Sequence, residues 1–136
     1  MKRLSDREAA PFRALLEAYN RCFYDRDLRA LSALYASDGD LPYFDNHPGC
    51  DSMALGDHLE KVGAFFARGR LTESGDVEPL LVEKLSVFAD VASAVMTVTL
   101  RYASKPRPGV RSSFVLQRED AGWRIRHIHF SFDPNE

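Results

Sequence analysis

The chain reads as an α+β domain with its helices on one face of an antiparallel sheet. Residues up to about 68 carry apolar positions at helical spacing, whereas residues 77–132 fall into β-branched and aromatic runs separated by short turns. The length of 136 residues allows one domain with a sizeable core and leaves no room for a second. Helices first and a strand meander afterwards put the helices together on one side of the sheet.

The first helix is predicted from Phe12, Leu15, Leu16, Tyr19 and Phe23, which share one face. Ser5 and Glu8 have capping-box spacing, but Pro11 suits only a first turn, so the helix starts or kinks near Ala10. A second helix is expected over 28–36, with Leu31, Leu34 and Tyr35 as its apolar stripe and Ser37-Asp38-Gly39-Asp40 as its stop. Residues 41–45 read as a short strand, placed at a sheet edge because Pro42 cannot donate to a central ladder. Asn46-His47-Pro48-Gly49 turns the chain into a third helix over 53–68, with Leu55, Leu59, Val62 and Phe66 on one face and Phe65 beside them. Four strands are then expected at about 77–89, 91–104, 110–119 and 122–132. The turns between them are Ala89-Asp90, Lys105-Pro106-Arg107-Pro108-Gly109 and Asp120-Ala121-Gly122. The sequence has no internal repeat, low-complexity segment or linker.

Charge narrows the function classes. Eighteen Lys and Arg against 20 Asp and Glu give a net charge of −2, and the sequence pI of about 6.1 lacks the basic excess of a nucleic-acid binder. No apolar stretch approaches the roughly 20 residues that cross a bilayer. Met1 to Glu8 lacks the apolar run of a signal peptide, so a cytoplasmic protein without a membrane partner is expected. Cys22 and Cys50 are accordingly expected as reduced thiols.

Several polar residues invite a chemical role. Asp45 lies among aromatics, where an apolar surrounding raises a carboxyl toward neutral-pH acid–base work; its structural alternative is to cap the turn at 46–49. His47 shares its strand face if the strand continues. Strict alternation puts Trp123, Ile125, His127, His129 and Ser131 on one face of the last strand, and Arg124, Arg126, Ile128, Phe130 and Phe132 on the other. At least one of His127 and His129 is expected to be largely buried, hydrogen-bonded and neutral, with Trp123 beside them as a ligand contact. Arg101 and Arg111 flank the Pro-rich hairpin, and Arg111 would clamp a carboxylate if it faced a pocket; at a strand end it is solvated instead. His47, Cys50, Asp51, His58, His127 and His129 include every ligand type zinc uses, but only the His-x-His is a close pair, and no metal is expected.

The helix-and-meander order, ending in Gly122-Trp123-Arg124-Ile125-Arg126-His127-Ile128-His129-Phe130-Ser131, resembles the SnoaL-like branch of the nuclear transport factor 2-like superfamily. The same ending is similar to the association domain of calmodulin-dependent kinase II. The resemblance implies a cone-shaped, cystatin-like fold, with three N-terminal helices packed on a curved antiparallel sheet around a pocket. It implies no obligatory cofactor. A homodimer through the outer sheet face is expected because both faces of the strand at 122–132 carry large apolar residues that a monomer would leave partly exposed. The segment Tyr19 to Gly49 is also similar to the first half of a ketosteroid isomerase, which implies Tyr19 as donor to a substrate carbonyl. The proton-moving aspartate of that family corresponds to Tyr43 without gaps and to Asp45 after a two-residue shift. Its second donor falls near Ser112 or Ser113, where this chain has no acid. The site expected from both lines of reasoning has Asp45, Tyr19 and His129 as catalytic residues, with Tyr43, His47, Arg111, Trp123 and His127 as ligand contacts. The implied function is that of a small-molecule pocket protein: a cofactor-independent acid–base enzyme of isomerase, dehydratase, cyclase or hydrolase type. A non-catalytic ligand-binding or association module is the alternative.

Overall fold

Pro11 fixes where the first helix begins. In a computed structural model, which describes residues 1–67, 80–102 and 109–134, α1 spans Ala10–Asp25 with the proline in its first turn. The capping box forms one turn earlier than the helix: Ser5 N donates to Glu8 Oε1 at 3.1 Å and Glu8 N to Ser5 Oγ at 3.2 Å. α1 ends where Arg26 takes a left-handed backbone, φ 55°. Asp27 then caps α2 (Leu28–Ser32) by accepting from Ala30 N at 2.9 Å.

α2 is shorter than expected because pairing with the sheet displaces the helix. Leu34 O accepts from Ile125 N and Ala36 N donates to Ile125 O, both at 2.8 Å, so Tyr35 lies on the sheet rather than on a helix. β2 (Asp40–Phe44) and β3 (Ser52–Ala54) follow, with β3 leading straight into α3 (Leu55–Ala67). The long strands are β4 (Leu80–Ala89), β5 (Ser93–Tyr102), β6 (Val110–Glu119) and β7 (Gly122–Phe132). The expected strand ends at 77–79 and 103–104, the helix end at Arg68 and the hairpin at 105–108 lie outside the described residues.

The described strands form one sheet in the order β1-β4-β5-β6-β7-β2-β3, β1 being Lys2–Arg3. All neighbours are antiparallel except β2 and β7. The expectation that residues 41–45 form an edge is therefore corrected, since β2 lies between β7 and β3. Proline is tolerated there because the β2–β3 register slips between Asp40 and Tyr43, so no ladder donor is required at Pro42.

Helices α1 and α3 pack on one face of the sheet. Phe12, Leu16 and Tyr19 from α1 and Val62 and Phe66 from α3 meet Met96, Val98, Phe114, Leu116, Ile125 and Ile128. A bulge in β7 decides which of its side chains join them. Val115 pairs with His127 and Leu116 with Ile125, leaving Arg126 unopposed. Trp123 and Ile125 before the bulge, and Ile128 and Phe130 after it, therefore share the inner face. His127, His129 and Ser131 turn outward, and the strict alternation expected for this strand is corrected accordingly. The extra residue serves as a tie. Arg126 donates to both Asp38 oxygens, at 2.7 and 2.5 Å, and to Asp40 O at 2.8 Å. It thereby fastens the approach to β2 onto the sheet and holds the Asp38 carboxyl down at about 2.

Candidate functional site

The site grows from β2. Tyr43 and Asp45 stand two residues apart on the inner side, and the Tyr43 hydroxyl donates to Asp45 Oδ2 at 2.7 Å. The other oxygen, Oδ1, accepts from His47 N at 2.9 Å and contacts His47 Nδ1 at 2.7 Å. The two roles considered for Asp45 thus coexist: one oxygen caps the turn while the other reaches the interior. Asp51 holds the turn from outside by accepting from Asp45 N at 2.9 Å. The Asp45 side chain is 14% exposed and that of His47 65%, so the pair runs from the interior to the surface.

Behind Tyr43 the polar chain continues inward. Tyr19 is hydrogen-bonded to Tyr43 and to Tyr35, and the Tyr35 hydroxyl meets His58 Nε2 at 2.8 Å. All four side chains are buried. Proton counting sets the direction, because each hydroxyl has one proton to give. Tyr43 gives its proton to Asp45, so it accepts from Tyr19, which accepts from Tyr35, which accepts from His58 Nε2–H. Burial holds this imidazole neutral by pushing it down to about 4, and burial raises all three phenols. Aromatic packing fixes the geometry. Tyr43 lies 4.2 Å from the His58 ring, and Tyr19 contacts Phe23, Phe114 and Phe130 at 5.1, 5.6 and 6.4 Å.

Asp45, Tyr43, Tyr19 and His47 therefore come together. The other expected residues do not join them. His129 is exposed on the outer face beside Phe44, and Arg111 is exposed there opposite Ser131. His127 is half-buried on that face, its Nδ1 2.6 Å from Pro42 O, so neither histidine meets the expectation of deep burial. The Arg126 bulge is the physical reason. Trp123 does face inward, but it packs on Phe12 at 5.0 Å and under Arg118. That is seven residues before Tyr19 on α1, about 10 Å along the helix axis, so Trp123 is a core residue and not a contact of this site. Of two surface depressions, one lies on this outer face, lined by residues including Thr97, Thr99, Arg111, Ser113 and His129. The other lies around Asp51, Ser52 and Asp57. Among the described residues, no three His, Cys, Asp or Glu side chains converge as a metal site. Cys22 and Cys50 are both thiols and do not form a disulfide.

Tyr35 and His58 are members of the site that sequence reasoning missed. Spacing assigns Tyr35 to an apolar stripe, and His58 enters the sequence argument only as a metal ligand. A signal exists: His58 stands at the i+3 position from Leu55 and i−4 from Val62, which makes it the polar member of a buried helical face.

A SnoaL-like domain profile matches residues 12–134. Among solved structures, a provisionally assigned calmodulin-dependent kinase II association domain from Xanthomonas campestris is 20% identical; the match covers 100% of this chain and 97% of that one, with a TM-score of 0.70. A provisionally assigned dehydratase of the nuclear transport factor 2-like family from Streptomyces avermitilis is 17% identical, with 94% and 97% covered and a TM-score of 0.69. A cystatin-like fold protein from Nostoc punctiforme is 13% identical, with 98% and 96% covered and a TM-score of 0.66. No curated protein matches the chain. At these identities the structures share its fold, and the profile, which spans nearly all of the sequence, places the chain in the SnoaL-like family of the nuclear transport factor 2-like superfamily.

Proposed function

We propose that the chain is a cofactor-independent acid–base enzyme acting on a small carbonyl compound. The observation that carries this reading is the buried chain from His58 through Tyr35, Tyr19 and Tyr43 to Asp45. A carbonyl oxygen placed beside the Tyr43 and Tyr19 hydroxyls takes their protons as hydrogen bonds and releases Asp45 Oδ2. That oxygen removes a proton from the carbon next to the carbonyl; the C–H electron pair moves onto the carbonyl oxygen as an enolate. Asp45 then returns the proton to another carbon, giving isomerisation, or to a departing hydroxyl, giving dehydration. The phenols behind Tyr43 polarise one another and spread the enolate charge. The relative provisionally assigned as a dehydratase accords with this chemistry.

Binding of 4-chlorophenol, an oxyanion mimic whose absorbance reports ionisation, tests it. Asp45→Asn removes the competing negative charge, so the variant binds the phenolate at least tenfold more tightly than the native chain, and Tyr43→Phe abolishes the gain. Saturable binding in neither protein would refute the reading. It would favour a non-catalytic association module, which the dense packing of Tyr19, Phe23, Phe66, Phe114 and Phe130 also supports. On either reading the outer sheet face pairs two copies into a homodimer, because Phe44 is 39% exposed on it.

A further inference from the structure

The groove on the outer sheet face takes no part in the acid–base chain, and strand register sets out its floor. Lys84 pairs with Thr99, Thr99 with Arg111 and Arg111 with Ser131, which makes one row from β4 to β7. Two residues along each strand, Ser86 pairs with Thr97, Thr97 with Ser113 and Ser113 with His129, which makes a second row. The rows lie about 7 Å apart, and neighbours within a row about 4.8 Å apart. The first row carries two cations, and the second carries three hydroxyls and an imidazole. All eight residues line one groove of about 730 Å³, and Arg3 of β1 stands at its β4 rim.

Charge is unevenly spread over the molecule. The whole chain has a net charge of −2, yet the groove gathers Arg3, Lys84 and Arg111 against one carboxylate, Glu83. That carboxylate is already paired, accepting from Arg101 Nε at 2.7 Å. Among the described residues, the Lys84 and Arg111 side chains form no hydrogen bond or ion pair. Like charges gathered in a groove and left unanswered concentrate anions there. Arginine adds a planar fork that matches the oxygens of a phosphate, and lysine adds a point charge.

The second row sets the character of the rest of the ligand. Ser86 Oγ and Thr97 Oγ1 share one hydrogen bond of 3.1 Å, which uses one of their two protons. The other proton, and those of Thr99, Ser113 and Ser131, have no acceptor among the described residues. No Phe, Tyr or Trp lines the groove to stack a nucleobase. Its volume falls within the range of small-molecule sites, roughly 300–1,000 Å³, and exceeds what a bare ion needs.

We propose that the outer groove binds a small phosphorylated polyol of the sugar-phosphate class. Arg111 and Lys84 hold the phosphate, and the row from Ser86 to His129 binds the hydroxyl groups. Phe44 pairs with His129 on the side away from Lys84, so pairing of copies on Phe44 and binding over Lys84 and Arg111 use different parts of the face.

Titration calorimetry with glucose 6-phosphate, ribose 5-phosphate and glycerol 3-phosphate tests the site, with inorganic phosphate and glucose as controls. At least one of the three organic phosphates binds the native chain saturably and at least tenfold more tightly than inorganic phosphate, and glucose does not bind. Arg111→Gln weakens that complex at least tenfold while melting with the native chain, and Ser113→Ala narrows the gap to inorganic phosphate. Equal affinity for inorganic phosphate would reduce the groove to a bare anion patch and overturn the polyol assignment. Binding of none of the three, or binding that Arg111→Gln leaves unchanged, overturns the site itself. Light scattering guards against a groove that is filled by a second copy: a dimer that separates when the organic phosphate is added also overturns the proposal.

Discussion

The two faces of β6 and β7 are built from the same strands and do opposite things. Inward, Phe114, Leu116, Ile125 and Ile128 are fully buried, and Tyr43, Tyr19, Tyr35 and His58 packed among them form one directed chain. Outward, Arg111, Ser113 and His129 are exposed and belong to a polar groove. Burial, rather than residue type, therefore sets what a polar side chain can do here. His58 and His129 are both histidines of the same fold, but only the first is desolvated, fixed in one tautomer and coupled to a carboxylate.

The contrast between the faces should be widest in the core. Phe114→Ala should cost about 3–5 kcal/mol, from lost burial plus a cavity, whereas Ser113→Ala, one residue along and facing outward, should stay within about 0.5 kcal/mol. Urea unfolding of both variants measures the contrast, and equal effects would mean the faces are misassigned.

Acid should expose the next largest effect. His58 has a folded value near 4 against an ordinary 6.5, so between those values the unfolded chain binds more protons than the folded one. Stability contributed by the neutral imidazole is complete above about pH 6.5 and is lost as pH falls toward 4, a change on the order of 3 kcal/mol. His58→Gln should flatten that part of the stability–pH curve.

Tyr35→Phe should cost about 1–3 kcal/mol, because it strands the His58 and Tyr19 partners inside the core, while Arg111→Ala on the outer face should change stability by about 0.5 kcal/mol or less. Thermal melts of the two variants check the pair. The smallest effect is expected at the bulge. Arg126→Gln loses the contacts to Asp38 and Asp40 at a partly exposed site, costing about 1 kcal/mol or less. Its sharper signature would be a shift in the Tyr43 and Asp45 resonances, since Arg126 positions the strand that carries them.

Much of this is legible in the sequence, and what is not has specific causes. The helix-then-strand order and the period of each segment point to the architecture, and the spacing from Tyr19 to Asp45 brings those two residues and Tyr43 into one site. Tyr35 and His58 are hidden because they occupy positions that apolar periodicity assigns to packing, and only the third dimension brings their polar atoms together. Trp123, His127 and His129 share one face under strict alternation because alternation cannot register a bulge, and a single extra residue at Arg126 reverses every assignment beyond it. Proline forbids a regular central ladder and so points β2 to an edge, while the register slip that accommodates it leaves no mark in the sequence.

If the interior polar groups form one directed chain ending at Asp45, the direction of every hydroxyl follows from which nitrogen of the His58 ring carries the proton. Nitrogen-15 NMR of that ring reads this directly. The chain predicts a neutral imidazole with its proton on Nε2, unchanged from pH 8 down to about 5, and a perturbed Nε2 signal in Asp45→Asn at the far end. A ring that titrates near its ordinary value, or that carries its proton on Nδ1 alone, would contradict the directed chain.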